Sequence, residues 1–414
     1  MTDDAGFMRR EFDSWFGNRR GDFFAGLVSA FAVLPEVIGF TIVAGVDPIL
    51  GLYTSVVFLL LLSVLGGRPA MVSAGAGSMA VLVAPLIADY GLDYMFAAVF
   101  IAGLIQLGLG IAGIGKLMRR IPQSVISGFV DGLAFIILMS QITTFTENCG
   151  DTMLSISLMV GFVAIGLAVI FLFPRISKAV PSTLIAILVV TVLSVIINAA
   201  FGLSGETRTI GDLGDLTGGW PGFGVPALLS DMSALTVILP YAVSLAFVGL
   251  LETSLTAQVV DKMTATPSDD RRECCAQGVS NFVCGSIGAM PGCAMIGQAV
   301  ACVKSGGRGR LSTLISGLVL VLLIAFGSDL LGIIPLAALV AVMLFVCVST
   351  FDWTKFKQDI KARNRNALCA AAMTLVTFIA VALTRNLAIG AVAGLSLALL
   401  FWFIFGKDRT FRIA

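Results

Sequence analysis

The chain has 414 residues, 58% hydrophobic and 12% charged, with a formal net charge of +1, whereas soluble domains carry about 25% charged residues. That composition excludes a soluble enzyme or a nucleic-acid-binding protein and describes an integral membrane protein. With no histidine, eight scattered cysteines and no phosphate-binding glycine loop, neither a metal centre nor a cofactor is expected; the cysteines, adjacent Cys274 and Cys275 included, read as small apolar fillers.

In chain order, residues 1–21 carry mixed charges and no short apolar core, so no cleavable signal is evident. Apolar segments then follow at 22–46, 49–66, 70–89, 94–113, 122–144, 153–172, 181–201, 234–258, 273–290, 291–304, 311–327, 332–349, 367–384 and 387–406. A membrane-crossing helix needs about 20 residues, and fourteen such segments leave little chain for anything else. With the N-terminus in the cytoplasm, all of the 26 Lys and Arg residues except Arg208 and Arg385 fall on the cytoplasmic side. The opposite loops carry Asp89, Asp93, Glu147, Asp151, Glu206, Asp212, Asp215 and Asp231. This positive-inside bias predicts a multi-pass protein of the cell (inner) membrane with both termini cytoplasmic. Seven segments per half is an odd number, so the second half enters from the opposite face and the repeat is inverted.

Two acids mark the repeat. Glu36 ends Phe31-Ala32-Val33-Leu34-Pro35-Glu36, and Glu252 ends Phe247-Val248-Gly249-Leu250-Leu251-Glu252. The small-residue stretch Ser73-Ala74-Gly75-Ala76-Gly77-Ser78-Met79 recurs in kind as Met290-Pro291-Gly292-Cys293-Ala294-Met295, and one offset of 216 relates both Glu36 to Glu252 and Met79 to Met295. Such clusters also serve close helix packing in membranes. As a symmetric pair beside two acids, they instead predict broken helices, which are tolerated at membrane depth only when facing protein or water. Extended chain leading into a half-helix at each place would aim unpaired N–H groups and positive dipole ends at mid-membrane, a cradle for an anion. The expected substrate-binding residues are Gly77, Ser78 and Met79 with Cys293, Ala294 and Met295.

A buried ionisable group costs roughly 2.5 to 3.5 kcal/mol at a helix centre on insertion scales and is a functional candidate by default. Glu36 follows Pro35, which removes a backbone hydrogen bond and bends the helix. Glu252 has Thr256 one turn later on the same face, a carboxylate and hydroxyl pair suited to a proton or a small cation. We therefore expect Glu252, Glu36 and Thr256 to carry coupling, with Glu252 the main coupling group and Glu36 shaping or gating the site. Asp131 reads as a helix-interface group nearer a cytoplasmic end. An ionised glutamate repels a bound anion, so it must be neutralised by a proton, the first reading, or by sodium held by Glu252 and Thr256.

At these residues a family resemblance appears. Asp22-Phe23-Phe24-Ala25-Gly26, Leu34-Pro35-Glu36 and Ala44-Gly45-Val46-Asp47-Pro48-Ile49-Leu50-Gly51-Leu52-Tyr53 resemble the opening of the sulfate permease family, prokaryotic relatives of the SLC26 anion transporters. Gly67-Arg68-Pro69-Ala70-Met71-Val72-Ser73, Gly292-Cys293-Ala294-Met295-Ile296-Gly297-Gln298 and Lys304-Ser305-Gly306-Gly307-Arg308 are similar to bacterial members. The resemblance implies an all-α polytopic fold of fourteen spans in a seven-plus-seven inverted repeat, with half-helices at spans 3 and 10. It implies a cytoplasmic N-terminal segment at 1–21, a core domain at 22–113 and 234–327, a gate domain at 114–201 and 328–406, a connecting outer loop at 202–233 and a cytoplasmic tail at 407–414. Substrate would sit between the half-helices and move with the core against the gate, as in an elevator. Most members continue into a cytosolic STAS domain, so a chain stopping at Ala414 reads as the membrane part of a longer protein or as a natural short form. Sodium-coupled bicarbonate relatives carry aspartate where Glu252 stands, and many members carry threonine near Ala76–Gly77; the longer acid favours protons.

The expected function is proton-coupled symport of a small inorganic or organic anion of the sulfate, bicarbonate or dicarboxylate class. The alternatives are a sodium-coupled bicarbonate symporter and an anion exchanger or channel, the last disfavoured because a passive pore needs no coupling acid. A nucleobase carrier of the same fold lacks its polar signature before half-helix 10. The expected partners are the anion and the lipid bilayer, with a homodimer left open and no nucleic acid.

Overall fold

In the computed structural model, residues 11–150, 152–176, 181–203, 206–213, 222–351, 353 and 365–405 are described. The expected tail 407–414, residues 1–10, the acidic loop residues Asp151 and Asp215, and the basic stretch 354–364 lie outside them. The fold is all-α and polytopic, and every expected segment coincides with a helix. These are α1 (Arg19–Ala44), α2 (Pro48–Leu65), α3 (Gly77–Tyr90), α4 (Leu92–Ile111), α5 (Gln123–Asn148), α6 (Met153–Leu172) and α7 (Ser182–Phe201). The second half supplies α8 (Met232–Thr264), α9 (Asp270–Ser286), α10 (Ile296–Lys304), α11 (Arg310–Phe326), α12 (Leu336–Thr350), α13 (Arg365–Thr384) and α14 (Leu387–Phe405). Among the described residues, eight helices are long and apolar enough to cross a membrane by themselves. The half-helices α3 and α10 are shorter, because each is preceded by extended chain.

That extended chain is β1 (Ser73–Gly75) and β2 (Gly292–Ala294), which pair antiparallel with Ser73 opposite Ala294, Ala74 opposite Cys293 and Gly75 opposite Gly292. The pairing gives each unwound strand a backbone partner, and side chains take up the rest. Asn281 brackets Gly292, accepting from its N–H at 3.0 Å and donating to its carbonyl at 3.1 Å, while Gln106 accepts from Asn281 at 2.8 Å. Thr54 donates to the Met290 carbonyl at 2.6 Å. Buried backbone in a membrane must be satisfied in this way.

The helices pack in two groups. One contains α1–α4 and α8–α11, with close pairings of α4 on α9, α1 on α11, α2 on α11 and α4 on α8. Small residues permit the approach: a methyl group added at Gly103 would collide with the Phe282 backbone N, and one at Gly26 would press on Ser312 and Ile315. The other group contains α5–α7 and α12–α14, with α5 on α13, α13 on α14, α12 on α6 and α6 on α7. At the basic end of the first group, Asp261 pairs with Arg68 at 3.4 Å and with Arg119 at 2.9 Å. Glu273 accepts there from the N–H groups of Gly67 at 2.8 Å and Arg68 at 3.1 Å, fixing the turn that leads into β1. Asp131 is buried within the first half of α5.

The register of the repeat differs from the expected one. The N-cap of α3 is Ala76 and that of α10 is Met295, so Met295 corresponds to Ala76 and not to Met79. The 216-residue offset is therefore three residues out at the half-helices, because loops and helix lengths differ between the halves.

Candidate functional site

A cavity of about 300 Å³ lies where the two helix groups meet. From the first group it is bordered by Ala32, Glu36 and Phe40 of α1, by Ala76 and Gly77 at the start of α3, by Glu252 of α8, and by Met295–Gln298 and Ala301 of α10. The second group adds Val130, Leu133 and Ile137 of α5, Pro181–Thr183 at the start of α7, and Phe345, Val346, Ser349 and Thr350 of α12. Spacings of three and four residues place each set on one helix face. Among these lining residues there is no Lys or Arg.

The cavity touches both half-helix N-termini. Neither Ala76 nor Met295 makes a side-chain cap, so the first-turn N–H groups have no intrahelical or side-chain cap partner. Each terminus carries a positive partial charge, and the two leave from opposite ends of the antiparallel ribbon. Two such termini favour an anion without a fixed cation.

Glu252 is held by the half-helix of the opposite repeat. The Glu252 carboxylate accepts from Ser78 Oγ on the first turn of α3, and from Cys293 Sγ of β2 at 3.2 Å. Glu36 and Gln298, the latter on the first turn of α10, both border the cavity. Both acids are partly exposed, and the cavity is where they are exposed.

The expected site residues separate into two layers. Gly77 and Met295 border the cavity, whereas Ser78, Met79, Cys293 and Ala294 are fully buried directly behind them. The expected carboxylate–hydroxyl pair of Glu252 and Thr256 is not formed. Thr256 Oγ1 donates to the Glu252 backbone carbonyl at 2.9 Å and lies 3.5 Å from the Ala294 carbonyl. A threonine one turn below can always reach its own helix backbone, and here that geometry prevails; Ser78 supplies the hydroxyl instead. Sequence reasoning missed Gln298 and the hydroxyls of Ser182, Thr183, Ser349 and Thr350. Polar residues inside or at the ends of apolar segments were the available signal.

Residues 20–374 match the "Sulfate permease family". The chain belongs to the sulfate permease family. It is 44% identical over 388 residues to "Putative sulfate transporter YbaR" of Bacillus subtilis (strain 168), covering 94% of this chain and 78% of that protein. It is 29% identical to "Bicarbonate transporter BicA" of Picosynechococcus sp., covering 87% of this chain and 67% of the relative. Among solved structures, the transmembrane domain of a cyanobacterial BicA superposes with a TM-score of 0.78 at 27% identity, covering 91% of this chain and 98% of that one. SLC26A9 shares the fold, with a TM-score of 0.78 at 18% identity over 95% of this chain and 66% of that one. As a sulfate permease family member, the protein is a multi-pass anion transporter and not an enzyme.

Proposed function

We propose that this transporter is a proton-coupled symporter of a small anion of the sulfate, bicarbonate or dicarboxylate class. The observation that carries the reading is the Glu252 carboxylate at a cavity without Lys or Arg in its lining, clasped by Ser78 beside two uncapped helix N-termini. An anion entering this cavity meets attractive helix ends and the carboxyl groups of Glu252 and Glu36. Protonating Glu252 lowers the repulsion, so anion and proton bind together and leave together.

Sodium is the second reading, supported by the BicA relatives only as far as substrate class. A sodium site of Glu252 and Thr256 would need a hydroxyl that is here bonded to backbone carbonyls. Ser78 could replace it, so the sodium reading requires a different set of ligands from that expected.

We assign the first helix group as a moving core and the second as a gate, with the basic face and both termini in the cytoplasm. Ser182 and Thr183 begin α7, and Ser349 and Thr350 end α12, so the cavity opens toward the cytoplasmic face. The state is inward-facing, and movement of the core relative to the gate carries the site across. Sulfate, bicarbonate, fumarate and chloride uptake into proteoliposomes under imposed proton or sodium gradients tests substrate and coupling together. Accumulation of one of the first three with a proton gradient alone is expected; accumulation only with sodium overturns the proton reading.

A further inference from the structure

The segment before α1 carries two stripes of opposite chemistry, and the polar one faces the protein. Residues 11–16 are helical, and a short turn at 17–18 leads into α1. Glu11, Asn18 and Asp22 recur at spacings of seven and four, and Phe12, Phe16, Arg19 and Phe23 at spacings of four, three and four, intervals that keep side chains on one helix face. Every member of the first stripe is bonded to the first helix group. Glu11 pairs with Arg272 at 3.2 Å and Arg310 at 3.4 Å. Those arginines hold the end of α2, Arg272 donating to the carbonyls of Val64 at 2.8 Å and Leu65 at 2.9 Å, and Arg310 to that of Ser63 at 3.1 Å. Asn18 donates to the Gly306 carbonyl at 2.6 Å. Asp22 is buried and accepts from the N–H groups of Arg308 at 2.7 Å and Gly309 at 2.9 Å. The segment is thereby strapped to the ends of α2, α9 and α11.

The second stripe faces away. Phe12, Phe16, Phe23 and Phe24 are all exposed; the Phe12 and Phe16 ring centres lie 5.2 Å apart, and the Arg19 guanidinium lies 5.1 Å from the centre of the Phe16 ring. Arg19 and Arg20 are exposed, and neither makes an ion pair with a described residue. Asp13 is the one exposed acid between residues 12 and 24, so the outward surface is net positive. A segment lying in water would turn its polar side out. This one turns out aromatic rings and cations, the pattern of a helix at a membrane surface. The stripe runs on into Phe23 and Phe24 at the start of α1, where that helix enters its membrane span.

We infer that residues 11–24 form a docking surface for anionic phospholipid, in which the rings of Phe12, Phe16, Phe23 and Phe24 enter the headgroup boundary and Arg19 and Arg20 recognise the headgroup charge. Continuity with the lipid-facing start of α1 supplies the bilayer as occupant, and two arginines without a carboxylate partner supply the complementarity to a negative headgroup. Because Glu11 ties the opposite side of the strap to the two arginines that hold α2, the surface joins the leaflet to the first helix group, whichever anion is carried and whatever ion drives it.

Fluorescence quenching by lipid tests this on the full chain in vesicles. With the four native tryptophans replaced by Phe, Phe16→Trp becomes the probe, and Phe23→Trp repeats the measurement if the first lowers the thermal midpoint. The vesicles contain equal phosphatidylglycerol and phosphatidylcholine, with one or the other brominated. Quenching should be at least about twofold stronger when the anionic lipid carries the bromine. Arg19→Gln together with Arg20→Gln should make quenching by the two lipids equal at an unchanged thermal midpoint, whereas Arg19→Lys with Arg20→Lys should keep the preference. Absence of quenching by either lipid, which would mean that protein covers the rings, would overturn the inference. Equal quenching with both arginines present, or a preference that survives their loss, would overturn it too.

Discussion

Ser78 and Glu252 stand 174 positions apart in sequence and are joined by a hydrogen bond from hydroxyl to carboxylate. Ser78 belongs to the first turn of α3 and Glu252 to α8, so the bond crosses the repeat; Gln298 of α10 and Glu36 of α1 border the same cavity. Glu252 is thereby tied to the half-helix whose N-terminus, in the proposed function, attracts the anion. Such a link gives proton and anion a shared element, beside their electrostatic interaction, through which each changes the other's affinity.

Replacing Ser78 with Ala leaves Cys293 Sγ as the one recorded side-chain donor to Glu252 among the described residues. A hydrogen bond to a charged group is worth about 1.5 to 3 kcal/mol, so proton-driven uptake should fall about tenfold or more. Ser78→Thr should retain more activity. Initial uptake rates in proteoliposomes at matched protein content check both.

Thr256→Val separates the two coupling readings. The hydroxyl bonds backbone carbonyls, so its loss should cost about 1 kcal/mol of stability and change proton-driven uptake by less than about twofold. Loss of uptake in a folded, thermally intact Thr256→Val protein would favour a cation site that includes this hydroxyl.

Gly103→Ala should destabilise the protein by about 1 to 3 kcal/mol, the usual cost of overpacking, because the methyl group meets the Phe282 backbone where α4 and α9 touch. Gly297→Ala, with open space around it, should fold normally and act only on transport. Thermal unfolding of the detergent-solubilised variants should show a lowered midpoint for the first and a wild-type midpoint for the second.

Much of the fold was legible in sequence, because apolar length and charge asymmetry are local signals. The fourteen segments coincide with helices, and the small-residue runs at Ser73–Ser78 and Met290–Ala294 lead into half-helices as expected. What was not legible is what joins distant residues. The β1–β2 pairing, the crossing bond of Ser78 and the Asn281–Gln106 bond depend on contacts between residues far apart in the chain. Thr256 was assigned by helical spacing to the Glu252 side chain, although the same spacing also brings it to the Glu252 carbonyl. The repeat offset came from matching letters, and cap positions were needed to correct it.

In the proposed symport the Glu252 carboxyl carries the coupled proton. Glu252→Gln keeps the shape and removes the charge, so the most direct measurement is anion accumulation in proteoliposomes driven by a proton gradient, beside exchange of the same anion with no gradient. Accumulation should be abolished while gradient-free exchange persists. Proton-driven accumulation at the wild-type level in Glu252→Gln would contradict it.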